Sequence, residues 1–183
     1  TRALQIKVLQ TKTPFHTEKD ARRGNFEKKH FTLHVAVDSD WAGCKTSRKS
    51  TSGGILFLED YPLNAWPRTQ PVIAQSSAEA EFYAMCSGAS ESLFLATLLE
   101  EMEYSVQILE WSDSTSGLSQ AKRLGASKNM KHVEVKYFHL QQLVAARRLY
   151  PRKIAGLDNT ADLMTKYVDL ETLEKLRPTM GLC

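Results

Sequence analysis

From Phe31 onward, apolar side chains recur at alternate positions. Phe31, Leu33, Val35 and Val37 are separated by Thr32, His34 and Ala36, and the run stops at Asp38. A period of two predicts a strand, because successive side chains of an extended chain point to opposite faces. A loop of small and basic residues, 39–50, follows. Gly53 to Leu58 reads as a second strand, 59–62 as a turn, and Leu63 to Trp66 as the start of a third. Two tight reversals make these an antiparallel meander. The period then changes. Phe82, Met85, Cys86, Ala89, Leu93, Ala96 and Leu99 are spaced by three and four, predicting a helix of about seven turns with one face on a core. Ser76 or Ser77 supplies its cap and Glu79 the acid of a capping box, while Gly88 is an expected weak point or kink. Residues 106–113 read as a fourth strand, 114–124 as a short helix and 131–148 as a third helical stretch. A last strand is expected over 149–155, and small helices over 159–166 and 170–176. Three hairpin-linked strands, followed by strands separated by helices, predict a mixed sheet with helices packed on it.

Residues 1–31 stand apart from this pattern. Leu4, Ile6, Val8 and Leu9 form a short apolar patch, predicting a helix or strand remnant over 1–12. The polar, basic stretch 13–30 predicts a loop whose cations are solvated or touch phosphates. A start at Thr1-Arg2-Ala3-Leu4, without Met or a signal-peptide core, is expected of a piece of a longer polyprotein. Composition narrows the classes only slightly. A length of 183 residues, 42% of them hydrophobic and 25% charged, suits one globular domain. The net charge of +3 is so mild that only the placement of the cations bears on nucleic-acid binding. Cys44, Cys86 and Cys183 are odd in number and far apart, which argues against a disulfide scaffold or zinc site and for a reducing compartment. No apolar run approaches the roughly 18–20 residues of a membrane span, the nearest being broken by Glu91, Glu100 and Glu101.

Four acids occupy positions that chemistry could use. Asp38 ends the first strand, Glu81 lies in the first turns of the long helix, Asp113 ends the fourth strand and Asp162 starts a small helix. They are far apart in sequence, so only the fold can unite them. Carboxylates that converge repel one another, and a divalent metal is the common resolution. Mg2+ prefers such oxygen ligands, and a metal pair about 3.5–4 Å apart activates water and stabilises the leaving oxygen of a phosphodiester. Acids at strand ends and helix starts are also common without any metal, and Glu79 or Glu81 could simply favour the helix N-terminus.

Several blocks narrow these alternatives. They are Val37-Asp38-Ser39-Asp40-Trp41-Ala42-Gly43, Arg48-Lys49-Ser50-Thr51-Ser52-Gly53-Gly54, Gln75-Ser76-Ser77-Ala78-Glu79-Ala80-Glu81-Phe82 and Ser112-Asp113-Ser114. Met130-Lys131-His132-Val133-Glu134-Val135-Lys136-Tyr137 and Asn159-Thr160-Ala161-Asp162-Leu163-Met164-Thr165-Lys166 follow. In this order the chain resembles the ribonuclease H domain of copia-type LTR retrotransposon polyproteins, and residues 4–12 weakly resemble the helix joining it to reverse transcriptase. The resemblance implies an α/β, RNase H-like fold: a five-stranded mixed sheet of order 3-2-1-4-5, its first three strands antiparallel, flanked by helices. It divides the chain into a polymerase-connection remnant with a basic loop (1–31), the RNase H-like domain (32–168) and a C-terminal helix and tail (169–183).

The same resemblance implies two-metal hydrolysis, with Mg2+ or Mn2+, of the RNA strand of RNA–DNA hybrids. Asp38, Glu81, Asp113 and Asp162 would be the catalytic acids and metal ligands, with Glu79 the runner-up to Glu81. Asp40 is an alternative to Asp38, expected on the opposite face of a persisting strand. His132 is the candidate for the histidine that assists near the scissile phosphate, its alternative being a capping or surface histidine. Three departures stand out: Ser114 replaces a common Asn, Tyr137-Phe138-His139 permutes the family's order, and Leu63-Asn64-Ala65-Trp66-Pro67-Arg68 replaces a more regular strand. Pro67 in the third strand fits only a sheet edge. Phosphate grip is expected from Lys45, Arg48 and Lys49, with Lys122, Arg123, Lys128 and Lys131, and sugar or phosphate bonds from Ser50, Thr51 and Ser52. Trp41 is expected to pack in the core or stack on a sugar. The implied partners are a hybrid duplex and the reverse transcriptase domain of the same polyprotein, with no membrane and no small-molecule cofactor. The implied location is a cytoplasmic virus-like particle, with the nucleus as alternative. Two other readings remain open: an inactive scaffold or nucleic-acid-binding subunit, and a nuclease for another nucleic acid such as DNA.

Overall fold

The structure, a computed structural model, describes residues 30–126 and 131–180. The remnant expected over 1–12, the loop over 13–29, Lys128 and Cys183 lie outside the described residues. Five strands form one sheet: β1 (His30–Asp40), β2 (Thr51–Leu58), β3 (Tyr61–Thr69), β4 (Ser105–Ser112) and β5 (Leu149–Lys153). Their order is β3-β2-β1-β4-β5, with β1, β2 and β3 antiparallel and β4 and β5 parallel to β1. The fold class implied by the resemblance is therefore the one observed. His30, expected to close the loop, instead opens β1 opposite Ser105. Pro62 and Pro67 both lie in β3, an edge strand, where a missing backbone donor costs the ladder least.

The helices are α1 (Ser77–Glu101), α2 (Thr115–Lys122), α3 (His139–Ala145), α4 (Asp162–Thr165) and α5 (Leu170–Leu176). Ser76 caps α1, its hydroxyl accepting the Glu79 N–H at 3.2 Å. The Glu79 carboxylate closes the cap one residue further back than a standard capping box, on the Gln75 N–H at 3.0 Å. The helix buries Phe82, Met85, Ala89, Ala96 and Leu99 against Leu33, Val35 and Val37 of β1 and Ile108 of β4. By length and composition α1 could also cross a membrane, contrary to the expectation from its interrupting acids, but here one face packs on the sheet. A smaller core on the opposite face joins Ala36, Ile55, Phe57, Leu109 and Trp111 to Ile154 and Ala161.

Three local expectations are corrected. Gly88 does not kink α1, which runs unbroken through it. A Cβ there would lie 2.5 Å from Val37 Cγ1 and 2.9 Å from Glu110 Oε1, so the absent side chain is what lets helix and sheet approach. The helical stretch expected over 131–148 is a 3-10 turn, Val135–Phe138, followed by the two-turn α3. The helix expected over 159–166 is the single turn α4, preceded by a 3-10 turn at Gly156–Asp158.

Facing Gly88 is the most anomalous core residue. Glu110 of β4 is fully buried, and among the described residues neither of its carboxyl oxygens has a hydrogen-bond partner. Burial holds its carboxyl well above the usual carboxylate range, because a charged form there would have neither solvent nor partner. Glu110→Met, similar in volume and free of polar atoms, is expected to stabilise the fold by about 1–3 kcal/mol. In urea this would raise the unfolding midpoint at unchanged slope; a lower midpoint would show that the carboxyl is satisfied after all.

Candidate active site

The ends of β1 and β4 and the single turn of α4 deliver three acids to one place. Asp38 lies two residues before the end of β1, paired across the ladder with Gly53. A Cβ on Gly53 would lie 2.5 Å from Thr165 Cγ2 and 2.7 Å from Met164 Cβ, so this glycine opens the space in which α4 rests on the sheet. Asn159, fully buried, fastens that segment: its side-chain amide donates to the Val37 carbonyl at 3.0 Å and accepts from the Ala161 N–H at 3.2 Å. Asp162 is the first residue of α4, and Asp113 follows directly on β4. One carboxylate oxygen from each of Asp38, Asp113 and Asp162 lies within 4.8 Å of the others.

Electrostatics register the crowding. Asp38 is 1% exposed, and burial, reinforced by Asp162, raises its pKa to about 6 despite opposing bonds from Thr165 and Lys166. Glu81 is pushed up to about 8, first by burial and then by the charges of Asp38 and Asp113. Its Oε2 is buried, with no hydrogen-bond partner among the described residues. Burial also raises Asp162. Into this group reaches a cation the motifs did not single out. Lys166 Nζ lies 3.1 Å from Asp38 Oδ1 and 3.0 Å from Asp162 Oδ1. Burial works against its charge, but the two carboxylates more than offset this and raise it above the usual lysine range. The Thr165 hydroxyl donates to Asp38 Oδ2, and Lys153 Nζ donates to the Asp113 carbonyl and to Thr115 Oγ1. The spacing Asp162 to Lys166, one helical turn, is the only sequence signal for the lysine.

Glu79 and Glu81 diverge. Two residues correspond to about 200° around a helix, so the side chains face nearly opposite ways. Glu79 is spent on structure: it accepts from the Gln75 N–H, from the Tyr83 hydroxyl at 2.7 Å and pairs with His132 Nε2 at 2.9 Å. The structure thus places His132 on Glu79, the side of α1 turned away from Glu81. Asp40, two residues beyond Asp38 in the same strand, shares its face by alternation rather than lying opposite; it is not one of the grouped acids, its carboxylate filling the space where Gly43 would carry a Cβ.

Of the expected phosphate-binding residues, Lys45, Arg48, Lys122, Arg123 and Lys131 are exposed and Lys49 is half-buried. Ser50 and Ser52 are buried and engaged internally, with Ser50 Oγ accepting from the Ala42 N–H and Ser52 Oγ from the Gln70 amide. Thr51 is half-buried. Ser114 is the N-cap of α2, accepting the Gly117 N–H at 3.0 Å, a role that Asn fills equally well. All-oxygen donors, an orphaned buried Glu81 oxygen and an ammonium already seated between two acids make the group fit for divalent cations.

No family model matches the chain. It is similar to the retrovirus-related Pol polyprotein from transposon TNT 1-94 of Nicotiana tabacum, 27% identical over 80% of this chain, and to that from transposon RE2 of Arabidopsis thaliana, 29% identical over 87%. The chain spans 11% of the length of either polyprotein. In structure it is similar to the N-terminal RNase H domain of rv2228c from Mycobacterium tuberculosis, solved as a fusion with maltose binding protein (TM-score 0.54, 14% identity, 80% of this chain and 96% of that one). It is also similar to LC11-RNase H1 in complex with an RNA/DNA hybrid (TM-score 0.51, 12% identity, 74% and 93%). The chain's relatives in sequence are Pol polyproteins of retrotransposons, and its fold is that of RNase H domains, as its motifs implied.

Proposed function

We propose that this chain is a metal-dependent endoribonuclease that hydrolyses the RNA strand of RNA–DNA hybrids during retrotransposon reverse transcription. The convergence of Asp38, Asp113 and Asp162 oxygens to within 4.8 Å carries this assignment. An RNase H of similar fold is known bound to an RNA/DNA hybrid, and retrotransposon Pol polyproteins are similar in sequence, which supports hybrid as substrate and reverse transcriptase as neighbour. A cytoplasmic particle is the setting that accords with this role.

Mg2+, or Mn2+ in its place, would supply an acidified water and charge stabilisation for phosphodiester hydrolysis. Asp38, Asp113 and Asp162 would hold the cations, with Glu81 completing the set from the start of α1. Asn159 and Thr165 keep α4 and Asp38 in register, so the acids need not reorganise. Lys166 neutralises part of the site and would yield its place between Asp38 and Asp162. His132 could assist at the phosphate only by leaving Glu79; in the present geometry it braces the start of α1. Exposed Lys45, Arg48 and Lys131 are free to neutralise phosphates of a duplex read by shape.

The test is a panel of end-labelled RNA–DNA hybrid, double-stranded RNA, single-stranded RNA and double-stranded DNA, each with Mg2+, Mn2+ or chelator. Internal cuts in the RNA of the hybrid with either metal, and none with chelator, are expected. No cleavage in either metal would leave the inactive scaffold standing, and DNA cut as readily as hybrid would favour a different nuclease.

A further inference from the structure

The chain has three tryptophans, and they are placed unlike one another. Trp66 and Trp111 are 5% exposed, whereas Trp41 is 49% exposed. Trp41 directly follows β1, and its indole N–H donates to the Ala74 carbonyl at 3.1 Å. That bond holds the ring between the two segments that deliver acids: β1, with Asp38 three residues earlier, and the approach to α1, which carries Glu81. Three residues span at most about 11 Å, so the backbone of Trp41 lies within that reach of Asp38. Ile73, next to Ala74 in the chain, is a second exposed apolar side chain on that approach.

The loop after Trp41 is fastened as well. The Ala42 N–H donates to buried Ser50 Oγ at 3.0 Å, and the Arg48 N–H to the Cys44 carbonyl at 2.8 Å. Ala42 and Arg48 both take positive φ, 55° and 56°, which fixes the turns. The result is a large apolar face, held in one orientation and flanked by the exposed cations Lys45 and Arg48. Such a face, oriented rather than buried, points to a contact made on binding, and the cations select a polyanion.

Building on the proposed nuclease activity, we infer that Trp41 is a substrate-positioning residue, its free indole face packing on the sugar and base edge of a nucleotide beside the one cut. Paired bases in a duplex offer no open ring face, but the wide minor groove of an RNA-containing helix presents sugars and base edges. Lys45 and Arg48 then meet the flanking phosphates, and the depth at which the ring seats sets the distance from strand to acids.

Because the other two indoles are buried, tryptophan emission reports on this contact. The Asp113→Asn chain is titrated with labelled RNA–DNA hybrid in Mg2+, binding being followed separately by anisotropy of the label. As hybrid binds, emission is expected to shift to shorter wavelength and acrylamide quenching to fall. Trp41→Ala in the same background is expected to lose both changes and to bind about tenfold more weakly, while Trp41→Phe keeps most of the affinity. Hybrid binding with unchanged emission and quenching, or with full affinity in Trp41→Ala, overturns the Trp41 assignment and leaves the nuclease standing. Failure of the Trp41-containing chain to bind hybrid at all overturns both.

Discussion

Exchange of Asp38 for asparagine is expected to move activity and stability in opposite directions. Asparagine keeps the shape and an acceptor for the Thr165 hydroxyl, but it removes a charge from a group that must hold cations. Loss of preorganised electrostatic stabilisation of this kind costs roughly a hundred- to a thousandfold in rate, so single-turnover cleavage of hybrid in Mg2+ should fall at least that far. Without metal the sign reverses. Above pH 6 the native Asp38 is ionised while buried among other acids, and its raised pKa means that the fold is penalised for that charge. Removing it is expected to stabilise the metal-free chain at pH 8 by about 1–3 kcal/mol, allowing for Lys166 losing one of its two partners. Thermal melts in chelator, set beside the cleavage rates, check both halves. A variant that cuts within tenfold of the parent, or melts lower without metal, would show that Asp38 is not where the acids pay for their convergence.

The parts of this site that local pattern encodes were legible in the sequence, and the parts made by distant contacts were not. Alternation over Phe31–Val37 marks β1 and its acid-bearing end, and the spacing from Phe82 to Leu99 marks the buried face of α1. Hydrophobic pattern does not distinguish Glu79 from Glu81, since Glu79 is the more buried of the two. Only the partners of Glu79, namely Gln75, Tyr83 and His132, show that it is spent on the helix cap. Lys166 meets Asp38 across 128 residues of chain, a pairing that exists only once α4 rests on β1. Residues 131–148 read as helical because their apolar spacing allows it. Tertiary contacts decide otherwise: the Tyr137 carbonyl accepts the Cys86 thiol, Phe138 packs on Phe82, and Arg147 at φ 57° ends the helix early. Lone tryptophans are ambiguous in a sequence for the same reason. Trp41 differs from Trp66 and Trp111 through the carbonyl it reaches, not through its neighbours in the chain.

Divalent cations are expected to reverse the pH dependence of stability. In the unfolded chain both Asp38 and Glu81 release their protons near pH 4. In the metal-free fold Asp38 holds its proton to about pH 6 and Glu81 to about pH 8. Across that window the folded chain binds more protons than the unfolded one, so stability falls as pH rises. The contribution is fully present below pH 4, diminishes through pH 6 and is exhausted above pH 8. At about 1.4 kcal/mol per unit the two shifts together have an upper bound of roughly 8 kcal/mol, on the order of 15–30 °C in melting temperature for a chain of this size. Mg2+ binds the ionised acids and competes with their protons and with Lys166. Its stabilisation is therefore expected to be small at pH 5.5 and to grow toward pH 8.5, beyond what sodium chloride of equal ionic strength provides. Melts across this range with chelator, Mg2+ or salt decide the matter. A metal-free stability flat between pH 5 and 9, or a Mg2+ increment equal at both ends, would mean that the three aspartates and Glu81 do not act as one coupled, cation-seeking group.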